Sequence, residues 1–182
     1  MPADDLDGGF IDAALFLGMH SADESVRLAA KAFFVQRLDG RVVMSLEQVG
    51  RCDDVIWGYS RELQDAYYPF MDVLHTVMEI SREPYDPADV RLALDDSADS
   101  AVPAHLTFTD RLVLGQVINR KGLLHTVRPR AAAFPGLPVR GVPAPPVGEP
   151  EPAFPEPLER LYTASLALRL PPVVTGAVPE GA

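Results

Sequence analysis

Gly9-Phe10-Ile11-Asp12-Ala13-Ala14-Leu15-Phe16-Leu17 reads as a short apolar strand that ends on a single acid and runs straight on into small and apolar residues. A carboxylate in such surroundings is costly to bury unless a cation compensates it, and a divalent metal is the usual partner. A second acid of this kind stands in Leu106-Thr107-Phe108-Thr109-Asp110-Arg111-Leu112-Val113-Leu114, followed by Gly122-Leu123-Leu124-His125-Thr126. Together the two segments predict a carboxylate site on an α/β scaffold.

The pattern between them supports that scaffold. Residues 10–13 read as a strand, and Ser21-Ala22-Asp23-Glu24 as a capping box for a helix that turns Val26, Ala30, Phe33, Phe34 and Leu38 inward before Gly40. Arg41-Val42-Val43-Met44 is a second strand, and Ser45-Leu46-Glu47-Gln48 opens a helix through Trp57 that Gly58 closes. Ser60 starts the next helical stretch, which Pro69 is expected to interrupt or restart. Residues 90–94 read as a third strand, with a short helix as the alternative; 107–120 is a helix and 123–127 the last strand. Strands separated by helices imply a three-layer α/β/α domain with a mostly parallel sheet, whose ligand site lies beyond the carboxyl ends of the strands. Asp12 falls there.

Composition changes near residue 130: six of the 18 prolines precede it and twelve follow. Residues 1–130 are therefore expected to form the α/β domain and 131–182 a proline-rich extended tail, with about three helical turns at 158–170 that dock on the domain or on a protein partner.

The single cysteine, Cys52, excludes an internal disulfide and a structural zinc site, which suits a reducing cytoplasm. The opening residues Met1-Pro2-Ala3-Asp4-Asp5 are acidic where a secretory signal needs a basic start, and no stretch is apolar enough to span a bilayer. The expectation is a soluble cytoplasmic protein without membrane contact. A net charge of −10 argues against broad electrostatic binding of nucleic acid, yet Arg111, Arg120, Lys121, Arg128 and Arg130 form a basic stretch free of acids. His20, His75, His105 and His125 show no paired metal spacing. Tyr67, Tyr68 and Trp57 read as core or helix-contact residues before they read as base-stacking ones.

The order and spacing of three pieces resemble the PIN-domain nucleases: the strand ending in Asp12, the strand Val42-Val43-Met44 leading into a helix that bears Glu47, and the Asp110 helix followed by Gly122 and the strand ending in Thr126. The resemblance covers residues 9–128. It implies a Mg²⁺ or Mn²⁺ site held by Asp12, Glu47 and Asp110, a metal-activated water that hydrolyses a phosphodiester of RNA, and Arg111 or Arg128 steadying the phosphate. In the family a fourth acid typically follows the threonine by two positions; here that position is Arg128. An arginine there either binds a substrate phosphate or occupies the metal position with its own charge, and the second case is a PIN-like interaction module without nuclease activity. Metal chemistry on a small metabolite, and assembly through the tail or as a homodimer, also stay open at this stage.

Overall fold

A computed structural model describes residues 7–97, 99–128 and 135–172. Arg130, the acidic opening residues 1–6 and the end of the tail from 173 lie outside the described residues. Among the described residues five strands, β1 (Asp7–Ile11), β2 (Arg41–Ser45), β3 (Glu79–Glu83), β4 (Leu124–Thr126) and β5 (Val139–Gly141), form one all-parallel sheet in the order β3-β2-β1-β4-β5. The helices are α1 (Ala13–Gly18), α2 (Glu24–Val35), α3 (Leu46–Trp57), α4 (Arg61–Val77), α5 (Pro87–Leu94), α6 (Phe108–Asn119) and α7 (Leu158–Ser165).

The chain walks outward from β1 to β2 to β3 and then returns across the sheet to β4. Parallel crossovers keep one hand, so reversing direction moves the connecting helices to the opposite face. Side-chain alternation records this. Ile11, Val42 and Met44 join a core with α1 to α4, whereas Phe10, Val43 and Leu124 join a second core with α6. Both sheet faces are therefore covered, as the apolar runs in β1 and β2 require. The reversal places the topological switch between β1 and β4, where ligand sites of such sheets form.

Most elements follow the local signals; β1 ends at Ile11, so Ala13 opens α1 where the sequence predicts strand, and five further differences stand out. Asp23, not Ser21, caps α2: its Oδ1 accepts from the Ser25 and Val26 amides. That helix ends at Val35, short of Leu38. Pro69 sits inside α4 without interrupting it; the carbonyl that loses its partner is Asp65, and both residues face solvent, where water replaces the bond. Residues 90–94 belong to α5, a helix with Asp86 as cap, Pro87 in its first turn and the Asp86–Asp89 capping box. The third strand is instead Glu-Ile-Ser-Arg-Glu at 79–83, at the sheet edge. Its charged residues pair across to Arg41, which reaches Glu79 at 3.2 Å and Glu83 at 3.5 Å, and charge at an edge discourages pairing with another chain.

The boundary drawn at residue 130 does not divide the fold. β5 extends the sheet beside β4, and Phe154, Leu158, Tyr162, Leu168 and Leu170 are core residues. α7 docks on α4, and Leu170 bonds through its backbone to His20 and Ala22. The proline-rich stretch between them stays on the surface, where Pro143, Ala144, Pro146 and Val147 are exposed.

α5 and α6 meet so closely that a Cβ on Gly115 would lie 2.5 Å from the carbonyl oxygen of Asp89. Gly115→Ala is expected to destabilise the protein by about 2 kcal/mol, in the range of overpacking, although alanine favours an exposed helix by about 1 kcal/mol. The midpoint of urea unfolding reads this directly.

Candidate functional site: an acid pair closed by an arginine

Asp12 leaves the end of β1 in extended conformation and caps α1, its Oδ1 accepting the Leu15 amide at 2.8 Å. Its Oδ2 accepts the Thr126 hydroxyl at 2.7 Å and Arg128 Nε at 3.1 Å. Asp12 is 1% exposed, so this carboxylate is fully enclosed by its donors. Asp110 lies in the first turn of α6, whose cap is Thr107. The Thr107 hydroxyl accepts the Asp110 amide and donates to Asp110 Oδ2 at 2.8 Å, while Arg128 Nη1 donates to Asp110 Oδ1 at 2.6 Å.

One guanidinium thus joins the two acids singled out in the sequence. Arg128 is placed by β4: its amide donates to the Thr126 hydroxyl at 3.1 Å, which turns the chain so that the side chain folds back over the strand ends. Burial works against its charge, but Asp12 and Asp110 outweigh that, and the Arg128 pKa rises above its usual value. Both carboxylates hold their cation through directed hydrogen bonds, the strong form of such contacts.

Glu47 stands apart from this pair. Its Oε2 accepts from Gln48 Nε2 at 2.8 Å and from the Tyr85 hydroxyl at 3.2 Å, and Ser45 completes the cluster through a 3.0 Å contact with the Tyr85 hydroxyl. Gln48 connects the two centres, because its Oε1 accepts the Ala13 amide at 2.8 Å. Gln48 and Tyr85 were not anticipated as parts of the site. Among the described residues no three His, Cys, Asp or Glu side chains converge on a point that would hold an ion.

The donors present do not fit the divalent metal that the PIN resemblance implies. Each oxygen of Asp12 and of Asp110 already accepts a hydrogen bond, and the positive charge between them is Arg128.

Arg111, read from the sequence as a phosphate holder, is buried and turned to the acidic loop before α6. It donates to the Asp95 carbonyl at 3.1 Å and pairs with Asp96 at 2.7 Å. Arg120 pairs with Glu83 at 2.8 Å and with buried Asp89 at 3.5 Å. The histidines are structural or exposed. His20 is fully buried with Nε2 at 2.8 Å from the Ser165 hydroxyl, and desolvation, aided by Arg169 and Arg27, lowers its pKa to about 3. His125 is buried beside the Phe33 ring, His75 stacks on Phe16, and His105 is exposed. Among the described residues no helix is long and apolar enough to cross a membrane.

Fold and site together define a five-stranded parallel α/β/α domain whose switch-point acids are closed by an arginine of the same chain. A family model described as a family of unknown function (DUF6190) matches residues 1–174, and the chain belongs to that family. No curated protein matches the sequence.

Proposed function

We propose that this chain is a PIN-like interaction module in which Arg128 takes the position of the metal, and that it binds partners without hydrolysing phosphodiesters. The observation that carries this is the bridge of Arg128 to both Asp12 and Asp110. A guanidinium supplies charge and directed hydrogen bonds, but it has no open coordination position at which a water could be activated.

The neighbouring cations support the same reading. A nuclease needs basic side chains available to phosphates. Arg111, Arg120 and Arg128 are instead paired within the chain with Asp96, Glu83, Asp89, Asp12 and Asp110. With a net charge of −10 the chain offers an RNA backbone little attraction. The exposed proline-bearing segment at 143–147 is the surface we assign to protein partners, since prolines fix an extended shape at little entropic cost on binding.

Titration of the protein with Mn²⁺ in a calorimeter tests the proposal. No saturable heat is expected from the wild type. Saturable binding that disappears in the Asp12→Asn, Asp110→Asn double variant would overturn it and restore the Mg²⁺- or Mn²⁺-dependent ribonuclease reading.

A further inference from the structure

α3 packs on α1, β2 and β3, and its buried residues are Gln48, Cys52 and Ile56. A helix so placed is expected to be polar on its outer side. This one is not. Leu46, Gly50, Asp53 and Trp57 follow one another at spacings of four, three and four, which aligns them as one stripe along the helix. Leu46 is 51% exposed and Trp57 65%. We propose that this stripe docks a basic amphipathic helix of a partner protein, whose apolar residues cover Leu46, Gly50 and Trp57 and whose lysines or arginines meet Asp53 and Asp54.

Gly50 is the first reason. Glycine inside a helix weakens it relative to alanine, so its use calls for a place where a side chain would obstruct. No such obstacle lies within the described residues: a Cβ on Gly50 would meet no atom of theirs within 4 Å. The room it leaves is open to another molecule, between Leu46 and Trp57, which stand about 16 Å apart along the axis. Single exposed apolar residues are ordinary on a protein surface. Here two large ones bracket a glycine that the chain itself does not need. Trp57 is also the chain's single tryptophan, a residue type enriched among the anchors of protein interfaces.

Charge gives the partner its sign. Between Leu46 and Trp57 the helix carries Glu47, Asp53 and Asp54 against one cation, Arg51. Arg51 Nε lies 4.0 Å from Glu47 Oε1, whereas Asp53 and Asp54 form no ion pair among the described residues. Asp54 is exposed and Asp53 half-buried. A second copy would bring three acids per helix against three, and the net charge of −10 adds to that repulsion. A helix with basic flanks meets them with complementary charge, which steers its approach and fixes its register. The stripe lies on the β2 and β3 side of the sheet, apart from the exposed segment at 143–147 that follows β5 at the opposite edge.

Because Trp57 is the one tryptophan, its fluorescence reads this face alone. The probe is a capped peptide of about 14 residues, matched to the roughly 18 Å length of α3, with leucines at helical spacing and lysines elsewhere. The same peptide with glutamate for lysine is the control. Titration of the full chain with the basic peptide is expected to shift the emission saturably to shorter wavelength, and the acidic peptide to leave it unchanged. Gly50→Gln should weaken binding roughly tenfold by filling the gap. Its urea midpoint should stay at or above that of the wild type, because glutamine favours a helix over glycine. The Asp53→Asn, Asp54→Asn double variant should bind several-fold more weakly at low salt, with a smaller difference at high salt. No saturable shift with the basic peptide, an equal shift with the acidic one, or unchanged affinity in Gly50→Gln would each overturn the proposal. So would emission that moves to shorter wavelength as the chain alone is concentrated, since a second copy would then cover the face.

Discussion

Replacing Arg128 with alanine is expected to lower stability by about 3 kcal/mol in metal-free buffer, because one partner of a buried ion pair is removed while the other stays buried. Asp12 would keep the Leu15 amide and the Thr126 hydroxyl but lose the one cation paired with it among the described residues, at 1% exposure. Asp110 would lose the 2.6 Å bond to Oδ1 at the same time. Two carboxylates that one guanidinium can span would then face the space it left. Hard divalent cations prefer such oxygen ligands, so the variant, unlike the wild type, is expected to bind Mn²⁺. At an ion concentration of 100 times the dissociation constant, binding restores about 2.7 kcal/mol, most of the loss. Urea unfolding with and without millimolar Mn²⁺ measures both effects. Arg128→Lys should fall between, since an ammonium retains the charge but lacks the planar fork that reaches two acids. An alanine variant as stable as the wild type and indifferent to Mn²⁺ would show that Arg128 does not close this site.

The same centre marks how far residue order can be read for chemistry. Asp12 was legible because a lone acid at the end of an apolar strand demands a partner, and Asp110 because it is a second acid set in a similar apolar segment. Which cation meets them was not legible. It depends on the turn after β4, where the Thr126 hydroxyl fixes the Arg128 amide and folds the side chain back, and nothing in the residue types separates a guanidinium from a metal in that position. Arg111 and Arg128 are chemically identical in the sequence, yet one faces Asp96 and the other Asp12 and Asp110.

Strand β3 escaped for a different reason. Periodicity detects a strand by its buried face, and this edge strand buries little: Ile80 is its one aliphatic residue, and the rest carry charge or hydroxyl. The C-terminal region misled through composition. Twelve prolines exclude long helices and ladders, but they do not exclude single buried anchors between them. Phe154, Leu158 and Tyr162 are spaced so that each drops into the groove beside α4, and the rings of Phe70, Phe154 and Tyr162 pack at centroid distances of 5.2–5.6 Å. Removing that segment would strip one wall from the core around Phe70.

The electrostatic lock on this segment gives the second large effect. Lys31 is 1% exposed, and its ammonium meets Glu151 and Glu159, each at 2.7 Å, and lies 4.6 Å from the centre of the Tyr162 ring. Arg27 on the same helix meets Glu151 at 2.8 Å and the Tyr162 hydroxyl at 3.1 Å. The Glu151→Gln, Glu159→Gln double variant would leave the Lys31 ammonium buried without a counter-charge, and is expected to cost about 3 kcal/mol or more. Glu156→Gln, which breaks an exposed pair with Arg160 on the same segment, should change stability by less than about 1 kcal/mol. Acid should release the lock even in the wild type. Its hydrogen bonds to Arg27 and Lys31 hold the Glu151 pKa at about 2 against a usual 4.5. The stabilisation it gives is therefore complete above pH 4.5 and disappears as the pH falls toward 2. His20, which contacts Ser165 of α7, has its pKa lowered by burial from 6.5 to about 3. Its unfolded form takes up a proton first, so its contribution also declines as the pH drops below 6.5. The two groups act in the same direction, and the urea midpoint should fall steadily from pH 6.5 to 3. The double variant should keep the His20 part of that slope down to about pH 3 and lose the additional part that Glu151 contributes below pH 4.5. An unchanged pH profile, or a double variant no less stable than Glu156→Gln, would mean that the C-terminal segment is held by its apolar anchors alone.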